Sequence, residues 1–103
     1  MKKYEGSTFE ESRAWHGPDI AHINNAAVKL RWTDQPYIWH KNTGEEIFAV
    51  LSGIVDMHVR AQGREEVITL HAGELLHVEN GDEHVAHPRG PARILVVEDS
   101  NSD

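Results

Sequence analysis

The sequence predicts an all-β, single-domain protein, and three observations lead there. From about Ala27 onward, short apolar runs are separated by Gly, Pro, Asn and Asp turns, the pattern of a β-sandwich or barrel. None of these runs is followed by a convincing helical period, which argues against a parallel α/β sheet. The chain has 103 residues, enough for one domain with a modest core that gains from association.

Taken in order, Ala27 to Trp32 alternates apolar and polar residues, and Thr33-Asp34-Gln35-Pro36 is a turn. Tyr37 to His40 reads as a second strand, broken by Asn42-Thr43-Gly44. Ile47 to Leu51 is apolar throughout, as in a strand covered on both faces. Ser52-Gly53 turns the chain into Val55 to Arg60, where Val55, Met57 and Val59 share one face. Gln62-Gly63 is a hairpin tip, after which Glu66 to Leu70 runs back. Leu75 to Val78, His84 to His87 and Arg93 to Val97 complete the strands, separated by Asn80-Gly81-Asp82 and Pro88-Arg89-Gly90-Pro91. The first 25 residues read either as a short helix opened by Ser7 and Glu10 as a capping box, or as an arm on the barrel or a neighbouring subunit. Ser100 to Asp103 reads as a frayed tail.

Composition narrows the function. There is no cysteine, so any metal must be held by nitrogen and oxygen, and a reducing, cytoplasmic setting is expected. The net charge of −7 argues against nucleic acid, which demands a basic surface. No run is long and apolar enough for a membrane span, and the start Met-Lys-Lys-Tyr-Glu-Gly lacks an apolar signal region.

Eight histidines prompt a search for ligand spacing. His40, Asn42 and Glu46 are separated by even numbers, with Phe48 and Val50 continuing the parity toward a barrel interior. A carboxylate and an imidazole on such a face are costly unless paired, protonated or bound to a metal. The alternative is that the loop from Asn42 to Glu45 resets the register and leaves Glu46 in water.

The chain resembles the cupin superfamily on two motifs. His40 through Glu46 to Gly53 is similar to the first, and Gly73 through Gly81 to His84 to the second, with 19 residues between Gly53 and Gly73. Val28-Lys29-Leu30, Trp39-His40-Lys41 and Glu46-Ile47-Phe48 look like its small, single-domain, conserved-barrel (cupin-2-like) members. The resemblance covers about residues 21–98 and implies a double-stranded β-helix, or jelly-roll, barrel within a single domain spanning 1–103. It also implies one divalent ion, Fe, Mn, Ni or Zn, on His40, Glu46 and His84. The family's second histidine falls on Asn42, a weaker ligand or a supporting group. Asp34, Glu79 and Pro88 also depart from the motifs, at turns rather than ligands.

The resemblance implies a metal-dependent enzyme acting on a small organic molecule, dioxygenase-like or sugar-isomerase-like. The alternative is a non-catalytic module that binds or senses a small molecule with weak or no metal. Phe48, Met57, Tyr37 and His77 are the expected pocket residues; His87, three residues past His84, falls on the other face of a regular strand, the alternative being a bulge at Pro88 that turns it inward as a substitute ligand. A homodimer is expected, since exposed strand edges gain by pairing across a two-fold axis. The surface would be the N-terminal segment and Ile94 to Val97.

Overall fold

Along Ala92–Asp99 every second residue is buried, and the same two-residue period recurs through the chain wherever one strand face meets the interior. The computed structural model describes residues 1–100. Its strands are β1 (Asp19–Ile23), β2 (Ala26–Thr33), β3 (His40–Lys41), β4 (Glu46–Ser52), β5 (Ile54–Ala61), β6 (Arg64–His71), β7 (Leu75–Val78), β8 (Glu83–Pro88) and β9 (Ala92–Asp99). They form a five-stranded sheet, β1-β2-β9-β4-β7, and a four-stranded sheet, β3-β8-β5-β6, and every pairing is antiparallel. This is the all-β jelly roll that the motifs imply. No helix occurs among the described residues, and none is therefore long and apolar enough to cross a membrane.

The two sheets close over a core to which Phe48, Val50, Ile94 and Val96 come from one side and Val55, Met57, Leu70 and Ala86 from the other. Met57, Val50, Val55 and Ile94 are fully sealed from solvent, so the packed end of the barrel lies here. The β5–β6 hairpin turns at Gln62 and Gly63, whose φ values of 53° and 74° are the left-handed pair a two-residue hairpin of matching twist requires.

Three expectations are corrected. Residues 6–8 form only a turn, not the first part of a helix. The segment's polar groups bond to the barrel instead: Arg93 donates to the Phe9 carbonyl and to Glu10 Oε1, both at 2.6 Å, and Gly6 lies against Leu51 and Leu30. The arm alternative is the one observed, covering part of the outer face of the five-stranded sheet. Residues 19–23, which carry no clear strand pattern, pair as β1 along β2. Tyr37 to Trp39 does not join the ladder, which holds only His40 and Lys41. Ile38 is exposed there, and the Trp39 ring lies beneath the Arg60 guanidinium at 3.9 Å. Of the expected tail, Ser100 donates its amide to Asn25, and the remaining three residues lie outside the described residues.

Candidate metal centre

β3 and β8 place His40 directly opposite His84, and β4 carries Glu46 on the facing sheet. The Asn42-Thr43-Gly44 turn joins them without breaking the inward parity. Asn42 Nδ2 donates to the Gly44 carbonyl at 2.7 Å, and Asn80 Oδ1 accepts from the Gly44 amide at 2.8 Å. Glu46 therefore enters the interior, 5% exposed, and the alternative that left it in water does not hold.

The two imidazoles meet edge to face with centroids 4.1 Å apart. His84 Nε2 lies 3.4 Å from Glu46 Oε1 and 3.4 Å from Asn42 Oδ1. One ligand atom from each of His40, Glu46 and His84 falls within 4.8 Å of the others. His40 Nδ1 lies 3.2 Å from the Ile38 carbonyl, which can only accept; this contact favours the tautomer that carries its proton on Nδ1 and turns Nε2 to the interior as the ligand atom. Glu46 Oε1 is buried without a hydrogen-bond partner. An unpaired buried carboxylate oxygen is expensive. The two imidazoles beside it supply ring nitrogens of the kind that bind a divalent transition metal. The donor set thus fits a divalent ion bound by nitrogen and oxygen, which His40, Glu46 and His84 would hold.

A cavity of about 230 Å³ opens above these three residues. Phe48, Val96 and Ala86 form its apolar floor, and Trp15 and Tyr37 stand edge to face, 5.1 Å apart, on its wall. Lys29, Arg31 and Glu98 supply its other polar groups. Glu98 lies opposite Glu46 on the neighbouring strand and accepts from Lys29 Nζ at 2.9 Å. Burial pushes the Glu98 carboxyl above the ordinary range, while the Lys29 bond pulls it back.

Several expected residues stand elsewhere. Phe48 and Tyr37 do line the cavity. Met57 does not: it is packed in the core at full burial, at the closed end of the barrel. His77 is also not in the cavity. It projects from the outer face of the five-stranded sheet, where its Nε2 lies 2.7 Å from Glu45 Oε1. β8 runs without a bulge through Pro88, so His87 is exposed on the outer face of the four-stranded sheet, as a regular strand requires, its ring 4.4 Å from that of His58, and the substitute-ligand alternative does not hold. Asn42 is buried beside His84, but its amide is committed to the turn.

Trp15, Lys29, Arg31 and Glu98 are missing from the expectation. For Glu98 the signal was present, since it keeps the parity of the inward residues Ile94 and Val96. On β2 the alternation was visible, yet the polar set faces inward. Lys29 pairs with Val96 and Arg31 with Ile94, while Leu30 lies on the other face beneath the arm.

Residues 30–98 match the family model of the cupin domain. The chain is a cupin. Among solved structures it is similar to a cupin-2 domain protein from Shewanella frigidimarina, with 27% identity over 86% of this chain and 84% of that one and a TM-score of 0.76. A cupin from Desulfitobacterium hafniense matches with 14% identity over 89% and 82% of the two chains, TM-score 0.74. Hydroquinone 1,2-dioxygenase from Sphingomonas, solved with 4-hydroxybenzoate bound, matches with 17% identity and a TM-score of 0.77, over 88% of this cupin but only 29% of its own chain. No curated protein matches.

Proposed function

We propose that this cupin is a metal-dependent enzyme acting on a small organic molecule, with His40, Glu46 and His84 holding one divalent Fe, Mn, Ni or Zn ion. The observation that carries the reading is the buried Glu46 Oε1, without a hydrogen-bond partner and set against His84 within reach of His40. Such an ion supplies Lewis-acid polarisation or, as iron, oxygen activation, and a triad of this kind leaves positions open for substrate. The protein's own part is to hold the triad in shape through the Ile38 carbonyl and the Asn42 turn, and to receive the substrate against Phe48 and Val96. Trp15 and Tyr37 narrow the entrance and exclude water from the floor. Support for an oxygenase comes from the fold neighbour that is a hydroquinone 1,2-dioxygenase.

A second reading, a non-catalytic module that binds or senses a small molecule, is favoured by Asn42 standing where a fourth protein ligand would be. Turnover separates the two. In either case the half-buried Leu95 and Val97 and the exposed Leu75 on the outer face of the five-stranded sheet suit a second copy of the chain, so we infer a homodimer. Its acidic charge and lack of cysteine support a cytoplasmic protein that does not bind nucleic acid.

The test is elemental analysis of untagged protein purified without metal resin, beside His84→Ala. About one Fe, Mn, Ni or Zn per chain, lost in the variant, supports the triad and directs oxygen-uptake and substrate screens. No metal in either sample after anaerobic reconstitution rejects it.

A further inference from the structure

In a chain of net charge −7, two cations on an inward face call for an explanation. Lys29 and Arg31 sit two residues apart on β2, opposite Val96 and Ile94, and both line the cavity that holds the triad. Each is only partly used. Lys29 Nζ donates once, to Glu98. Arg31 donates from Nη1 to the Gly17 and Leu30 carbonyls and from Nη2 to Asp19 Oδ1. Among the described residues, two ammonium protons of Lys29, and the Nε–H and one Nη2–H of Arg31, have no partner.

Spacing and charge agree on what they would meet. β9 lies between β4 and β2, so Lys29 is two strand spacings across and two residues along from Glu46, about 12 Å between Cα atoms. Both residues line one cavity of about 230 Å³, which admits a single small ring compound. Around it stand the cations Lys29 and Arg31 and the carboxylates Glu46 and Glu98, with Asp19 on the outer side of Arg31. A divalent ion on the triad leaves this group one positive charge in excess, which a monoanion neutralises.

We propose that the cavity takes a small planar organic acid, its carboxylate held by Lys29 and Arg31 and its apolar body lying between Trp15, Tyr37 and Phe48. The inference rests on the cavity being the working site of the proposed function, and it narrows the substrate class of that site. The carboxylate end faces β2 and the opposite end faces the triad.

The test is calorimetric titration of the full chain, zinc-loaded and EDTA-treated, with benzoate and with its neutral isostere benzamide, with zinc content measured on the same samples. Benzoate is expected to bind at least about tenfold more tightly than benzamide. Lys29→Gln and Arg31→Gln should each weaken it about tenfold, as loss of a charge-assisted bond does, and Lys29→Arg should keep most of the affinity. The inference is overturned if benzoate and benzamide bind alike, if neither binds at millimolar concentration, or if both glutamine variants match the parent. Failure of the metal reading looks different. Protein without zinc whose benzoate binding still depends on Lys29 upholds the anion site and rejects the metal. Protein with one zinc per chain and no preference for benzoate does the reverse.

Discussion

Glu46 and His84 belong to different sheets, yet Glu46 Oε1 lies 3.4 Å from His84 Nε2 in an interior where both residues are all but sealed from water. The contact lacks hydrogen-bond geometry, so the carboxylate oxygen has been desolvated without a hydrogen bond from the protein. The residue is retained at the expense of stability unless something binds it.

Replacing the carboxylate by an apolar group of similar size therefore separates function from stability. In metal-free protein, Glu46→Leu is expected to unfold in urea with a free energy equal to the parent's or higher by about 1–3 kcal/mol. The rise in Tm that zinc gives the parent should be absent. A large loss of stability in the metal-free variant would show that the carboxylate serves the fold instead.

Asn42 is expected to behave as a support rather than a ligand. Its Nδ2 holds the Gly44 carbonyl, and its backbone exchanges bonds with Gly81 and Asp82. Asn42→Ala should cost about 1–2 kcal/mol in urea denaturation. Zinc affinity, measured by chelator competition, should fall far less than in His84→Ala. Equal loss in both variants would make Asn42 a ligand.

Gly53, which closes the first motif, turns the chain from β4 into β5 at φ 84°. A Cβ there would lie 2.5 Å from the Pro91 carbonyl oxygen and 2.9 Å from Ala92 Cα, both backbone. Gly53→Ala is expected to cost about 2–4 kcal/mol, strain and overpacking together. Gly63, at φ 74° with open space around it, makes the control, and its alanine variant should cost about 1 kcal/mol. Thermal and urea melts of the pair compare the two.

Asp56 gives the fold an acid-side dependence. The Arg89 guanidinium, bonded to both carboxylate oxygens at 2.8 and 2.9 Å, and then the Thr69 hydroxyl at 2.7 Å hold its pKa at about 2 against an ordinary 3.8. A depressed carboxylate stabilises the folded state fully above its unfolded pKa and loses that contribution as protons bind. Parent and Asp56→Asn should therefore differ in Tm above about pH 4 and converge toward pH 2. Parallel melting curves across that range would exclude the pair as a source of stability.

What the sequence made legible follows from where side chains meet a single, fixed environment. β9 and β4 could be read because both are interior strands of their sheet with one face in the core and mostly apolar residues on the other, and the β5–β6 hairpin because Gln62-Gly63 admits few conformations. His40, Glu46 and His84 were legible through spacing. β1 was not, because Asp19–Ile23 is an edge strand with an irregular register, held by β2 rather than by its own pattern. The inward cations on β2 escaped notice because parity says which residues share a face, not which face is inside. On β2 that choice is made by the arm near Gly6, which lies over Leu30 and Leu51. His77 shows the converse. It shares the parity of Leu75, and Leu75 itself is 62% exposed.

The triad draws its ligands from both sheets, two histidines from one and a glutamate from the other, while β3 is held to β8 through only two residue pairs. An ion seated on all three would rivet the sheets together at the open end of the barrel. They could then part only by surrendering a ligand. The rate at which the β3 amides trade their protons for deuterium thereby becomes a clock for ion escape, ticking slowly in loaded protein and fast in stripped protein.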